Sequence, residues 1–176
     1  APRSPVLLDL TQPRGEYFAR NQRPIPPRLY AEMVAQSGIP FDAFGLQFLF
    51  GIGSDGYHLR DALQISALLD RLANLGKPLH VTAVSVPSAV GHALPIRAGG
   101  AWHAPWSAES QADWLRLFAE IALSKPFVES LCINSLADGL GDGFPAGGLL
   151  AEDLTPKTAF QRLADLHSGL RAEPAK

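Results

Sequence analysis

The sequence predicts an α/β fold of four parallel βα units, because short apolar runs alternate with longer amphipathic stretches of helical spacing along the whole chain. Two further observations point the same way. The starts of the apolar runs lie roughly 35 to 50 residues apart with a helical pattern in every gap, the spacing of parallel strands joined by right-handed crossovers. The runs are also nearly continuous in apolar residues, as strands covered on both faces are.

Taken in order, the first run is Val6 to Leu10. A loop rich in proline (Pro24, Pro26, Pro27) follows, then a helical pattern from Arg28 to Gln36 closed by Gly38. The second run, Ala43 to Phe50, leads through a Gly/Ser/Asp turn into His58 to Leu75. There Leu59, Leu63, Ile65, Leu69 and Leu72 predict an apolar face, and Gly76 stops the helix. The third run, Leu79 to Val86, ends at Pro87 and enters a long loop that carries Trp102, His103 and Trp106. Ser107 fits the N-cap of a helix to Ser124 with Trp114, Leu117, Phe118, Ile121 and Ala122 inward. The fourth run, Phe127 to Leu136, precedes a Gly-rich loop from Asp138 to Thr155. Pro156 then opens a last helix with Ala159, Leu163, Leu166 and Leu170 inward.

Composition narrows the class. With 176 residues, 47% of them hydrophobic and 18% charged, the chain suits a single domain spanning residues 1–176. A domain of that size buries about 70% of the surface its unfolded chain exposes, so neither a disulfide nor a structural metal is required. Its one cysteine, Cys132, excludes an internal bridge and a thiolate zinc site. His58, His92 and His103 share no metal-ligand spacing, so no metal and no cofactor is expected. A net charge of -2 without a basic block argues against nucleic acid, and no apolar run is long enough to cross a membrane. Residues Ala1 to Pro5 carry no charged-then-apolar signal peptide, and the absence of an initiator Met leads us to expect a processed chain or a piece of a longer one.

Four βα units make either an open doubly wound sheet or half of an eight-stranded barrel. A whole barrel takes ~250 residues, more than this chain has. The first post-strand loop, TQPRGEY, lacks the phosphate-cradling glycines of a nucleotide-binding sheet, which favours the half barrel. The strand-to-helix loops are the long ones, so function is expected at the C-terminal ends of the strands.

Particular segments carry a resemblance. AFGLQFLFG (Ala43 to Gly51), HVTAVSVPS (His80 to Ser88) and the stretch from Ser130 to Leu163, which contains GGLLAEDLTPKTAFQRL, resemble the sixth, seventh and eighth strands and the exit of family 10 glycoside hydrolases, the xylanase-type (β/α)8 barrels. LLDLTQPRGEY (Leu7 to Tyr17) would then be the fifth strand. The resemblance covers nearly the whole chain and implies the C-terminal half of such a barrel. It also implies an exported, secreted or periplasmic protein acting on β-linked polysaccharide such as xylan, by a retaining mechanism that needs two carboxyl groups ~5 to 5.5 Å apart.

Aligned through Thr82, the position of the family's nucleophilic glutamate holds Ala83, whose methyl group cannot form a glycosyl ester. The histidine that would support that glutamate aligns with Leu49, and one sugar-flooring tryptophan falls at Asn134 or Ser135. Gln47, Asp138, Pro156 and Lys157 match the family pattern. The expectation is therefore a xylanase-like domain, catalytically inactive or very weak, that retains saccharide binding through Gln47, Asp138, Trp102 and Trp106. Each has a plainer reading: Asp138 beside glycine also suits a turn, and the two tryptophans also suit the core. Glu16 is the best remaining loop carboxylate, either a general acid in a still active hydrolase or a partner of Arg14. Asp9 lies within a strand and either enters the cleft or caps a neighbour. A half barrel leaves two strand edges open, so the expected partners are a saccharide together with a missing N-terminal half or a second copy in a homodimer; failing those, the chain is a structural module that pairs through its edges.

Overall fold

The computed structural model describes residues 4–15, 25–51, 57–89, 99–139, 144 and 146–172. Strands β1 (Leu7–Leu10), β2 (Ala43–Leu49), β3 (Leu79–Ser85) and β4 (Val128–Ile133) alternate with helices α1 (Pro27–Gln36), α2 (Ala62–Ala73), α3 (Ala108–Leu123) and α4 (Thr158–Ala172). All neighbouring strands are parallel, and their spatial order is β1-β2-β3-β4. That order decides between the two architectures. A doubly wound sheet reverses its strand order at a switch point, whereas half of a (β/α)8 barrel runs in sequence order.

Helix starts follow local chemistry. Pro27 occupies the first turn of α1, where its missing N–H has no intrahelical partner to lose. Asp61 accepts a hydrogen bond from the Gln64 backbone N–H (2.7 Å), which fixes the start of α2 at Ala62 rather than at His58. This phase turns Leu63 outward, 79% exposed, because it lies opposite the stripe of Ile65, Leu68, Leu69 and Leu72. Ser107 and Ser110 cap α3 reciprocally. Pro156 does not open α4. It bridges to Leu150, and the helix begins at Thr158. β4 stops at Ile133 rather than Leu136, because the Leu136 carbonyl accepts from Leu149 and Leu150 of the returning loop.

The core fills the layer between sheet and helices. Phe44, Leu46, Phe48 and Phe50 alternate along β2 and its exit towards the helical side, as do Leu79, Val81, Val84 and Val86 along β3. Phe48 meets Phe118 at 5.1 Å between ring centroids, Phe50 meets Trp114 at 5.7 Å, and Trp114 stacks on Phe118 at 5.2 Å. Trp114 is core, as its place on the α3 stripe predicts. Helix α4 contributes less to this layer than expected: Leu163 and Leu166 are half-buried and Leu170 is exposed. It is held to α3 mainly by polar contacts, Arg162 with Glu109 and Asp113 and Thr158 with Glu109.

Among the described residues no helix covers the other face of the sheet, and β1 and β4 are both edges. The edge elements carry large exposed apolar side chains: Val6 just before β1 and Leu7 on it, Leu29 and Met33 on α1, Leu136 after β4, and Phe160 and Leu170 on α4. Two slips in strand register shape the uncovered face. Around Val81 to Val84, β3 carries one residue more than either neighbour, and between Leu79 and His80 the extra residue is Glu129 of β4. Such bulges re-aim the side chains beside them.

Candidate functional site

Residues that alternate with the core-facing set of β2 point to the uncovered face: Ala43, Gly45, Gln47 and Leu49. Asp9 of β1 pairs with Gly45 and shares that face. Its carboxylate accepts one hydrogen bond from Gln47 Nε2 (2.6 Å) and another from Thr82 Oγ1 (2.8 Å). Thr82 also lies 3.3 Å from the Leu46 carbonyl. One carboxylate thus links three adjacent strands. Room for it comes from Gly45, where any Cβ would stand 2.4 Å from Asp9 Oδ1.

Ala83, aligned above with the nucleophile, pairs with Gln47 and lies beside this network. The bulge puts Thr82 and Ala83 together opposite a single β2 step, so Thr82 reaches Asp9 while Ala83 stays in register with Gln47. Because Asp9 is exposed, its carboxylate oxygens, each with one protein donor, can accept further donors such as hydroxyl groups.

A second cluster lies beyond the strand ends. Asp138 pairs with Lys157 at 2.6 Å and accepts from the Gly148 backbone N–H at 2.8 Å, while Lys157 also donates to Ser88 Oγ (2.9 Å). The two side chains are only 21% and 10% exposed. Gln111, fully buried on α3, donates to the Val86 carbonyl (2.9 Å) from the same side. Together these groups staple the loop after β4 onto the exit of β3. They satisfy backbone groups that would otherwise be buried without partners.

The sequence-derived site residues therefore separate. Gln47 is in the Asp9 network, whereas Asp138, expected to hold sugar hydroxyls, is engaged as a structural clamp. Trp106 is 7% exposed, donates from Nε1 to the Gly100 carbonyl (3.0 Å) and packs in the core. Trp102 is half-buried against the core, 4.8 Å from the His103 ring. Ser135 is buried, and Asn134 is exposed at the end of β4. Glu16, His92 and Asp142 lie outside the described residues. Asp9 and Thr82 were the residues missed as a pair, and the only signal in the sequence was two polar side chains inside apolar runs. Among the described residues no group of three His, Cys, Asp or Glu side chains is placed to hold a metal ion.

No protein-family model matches the chain, and no curated protein matches it. Solved structures do, and they define the class first: the chain has the fold of one half of a TIM barrel. The barrels in question are family 10 xylanases. Native xylanase 10B from Thermotoga maritima superposes with a TM-score of 0.59 at 19% identity, covering 83% of this chain and 43% of that one. The GH10 from Paenibacillus barcinonensis gives 0.63 at 19% identity, over 98% of this chain and 48% of that one. TsXylA, the intracellular xylanase of Thermoanaerobacterium saccharolyticum, gives 0.60 at 17% identity over 90% and 44%. The chain thus spans less than half the length of each.

The clamp makes a stability prediction. Replacing Lys157 by Met leaves Asp138 partly enclosed without its cation, and urea unfolding should show a loss of about 2 to 3 kcal/mol, somewhat below the cost of breaking a fully buried pair. An unchanged midpoint would mean that the pair is not structural.

Proposed function

We propose that this chain is a xylanase-like half barrel that binds β-linked oligosaccharide on its uncovered face and does not cleave it. The observation that carries this reading is the pairing of Ala83 with Gln47 beside the Asp9 carboxylate. A retaining glycosidase needs a nucleophilic oxygen and a general acid about 5 to 5.5 Å apart across the glycosidic bond. A methyl group at Ala83 supplies neither, and Asp9 is committed to Gln47 and Thr82. What remains suits recognition: an exposed carboxylate and a carboxamide, oriented by each other, that accept and donate to sugar hydroxyls. Charge-assisted hydrogen bonds of that type contribute ~1.5 to 3 kcal/mol each. The solved neighbours include a Thermotoga petrophila xylanase 10B in complex with xylobiose and a Clostridium thermocellum Xyn10B complexed with xylohexaose, which makes xylo-oligosaccharides the first ligands to try.

Titration with xylotriose, followed by tryptophan fluorescence with the half-buried Trp102 as reporter, should saturate in the millimolar range without release of shorter sugars. Asp9→Asn should weaken the binding about tenfold, equivalent to ~1.4 kcal/mol. A flat titration at millimolar sugar contradicts the binding reading, and shorter sugars in the product contradict the non-cleaving one.

A second reading rests on the exposed apolar side chains that the edge elements carry. The β1/α1 edge and the β4/α4 edge are what a closed cylinder joins, so a further four-stranded unit, either an N-terminal half or a second copy, completes the sheet. Light scattering on the eluting chain should give twice the monomer mass if the second copy serves; a monodisperse monomer argues against it.

A further inference from the structure

Towards the starts of β3 and β4, away from Ala83, the uncovered face carries another polar group. His80 Nδ1 lies 2.8 Å from Ser130 Oγ, and His80 Nε2 lies 3.5 Å from a Glu129 carboxylate oxygen. Consecutive residues of a regular strand point to opposite faces, so Glu129 and Ser130 should not meet the same ring. They do so because the register slips there by one residue: Leu79 pairs with Val128 and His80 with Ser130. A cross-strand Ser–His contact needs no such slip. What the bulge adds is a carboxylate on the far nitrogen of the ring.

We propose that Ser130, His80 and Glu129 form an acyl-transfer site for short-chain carboxylic esters, with Ser130 as nucleophile, His80 as general base and Glu129 as the positioning residue. Glu129 beside Nε2 favours the tautomer that carries its proton there, which leaves Nδ1 to accept the Ser130 hydroxyl. The His80 side chain is 24% exposed, so the ring is open to solvent and to a small ester. In the first half-reaction Ser130 Oγ bonds to the ester carbonyl carbon while its proton passes to His80 Nδ1. The tetrahedral oxyanion then collapses, the bond to the alcohol oxygen breaks, and Nδ1 returns the proton to that oxygen. In the second, water attacks the acyl-serine with the same base and releases the carboxylic acid. Water is the one co-reactant, and the net reaction is ester hydrolysis.

The site shares no residue with the Asp9 network and is independent of the saccharide reading. The test is labelling of the whole chain with a fluorophosphonate probe, together with hydrolysis of p-nitrophenyl acetate. The expected result is one adduct, on Ser130, absent from Ser130→Ala. Hydrolysis should fall on the order of 100-fold in Ser130→Ala and in His80→Gln, the scale of a lost nucleophile or general base. Glu129→Gln should lower kcat several-fold with KM unchanged, and Glu129→Asp should recover part of it, a pattern that a purely structural carboxylate does not give. No adduct on the unaltered chain, or an adduct that persists in Ser130→Ala, overturns the proposal. Loss of hydrolysis in these variants with sugar binding retained separates this site from the saccharide cleft.

Discussion

The uncovered face of this sheet is organised by one carboxylate. Asp9 receives Gln47 from β2 and Thr82 from β3, so a single charged group on an edge strand is tied to the two strands beside it. The requirement runs outward from there. Gly45 must lack a side chain for Asp9 to lie across it, and β3 must carry an extra residue for Thr82 to point at Asp9 while Ala83 keeps step with Gln47. An isolated carboxylate on such a face, enclosed by any later partner, would be strongly disfavoured; one with two donors already in place is tolerated. The face thus carries a preorganised polar network at Asp9 rather than isolated charges.

That distinction explains the asymmetry of the molecule. Its helical side is a dry layer of Phe, Leu, Val and Trp packed at aromatic contact distances, and its other side carries the Asp9–Gln47–Thr82 network among smaller and apolar residues. A parallel sheet in sequence order, with helices against one face and two open edges, is what a barrel looks like when cut lengthwise, since the seam between halves passes through helix–helix and strand–strand contacts and not through the lumen. The similarity to family 10 xylanases over less than half their length agrees with this geometry. Ala83 and Gln47 stand in register at one place on that face, and Gln47 is held there by Asp9.

Much of the fold was legible because it depends on local periodicity. Strand positions, the Ser107 cap and the buried Trp114 all follow from patterns a few residues long. Strand order was not legible from the runs alone; the TQPRGEY loop and then the resemblance favoured a half barrel, and the observed order β1-β2-β3-β4 matches it. The site was harder to read for a different reason. Strand alternation says that Asp9 and Leu10 face opposite ways, yet not which of them faces the core; that requires knowing where Gly45 lies. Bulges at Thr82 and Glu129 leave no trace in composition. Nor does the sequence show that Asp138 pairs with Lys157 or that Trp106 donates to the Gly100 carbonyl, contacts set by tertiary structure.

The most direct measurement is of the Gln47 side-chain amide by NMR in a 15N-labelled chain as xylobiose is added. If the Asp9–Gln47 pair receives sugar hydroxyls, those two amide proton signals move progressively and saturate, together with the backbone signals of Thr82 and Ala83. If they stay fixed while signals elsewhere shift, or nothing shifts at all, this face is not the saccharide site and the account of it is wrong.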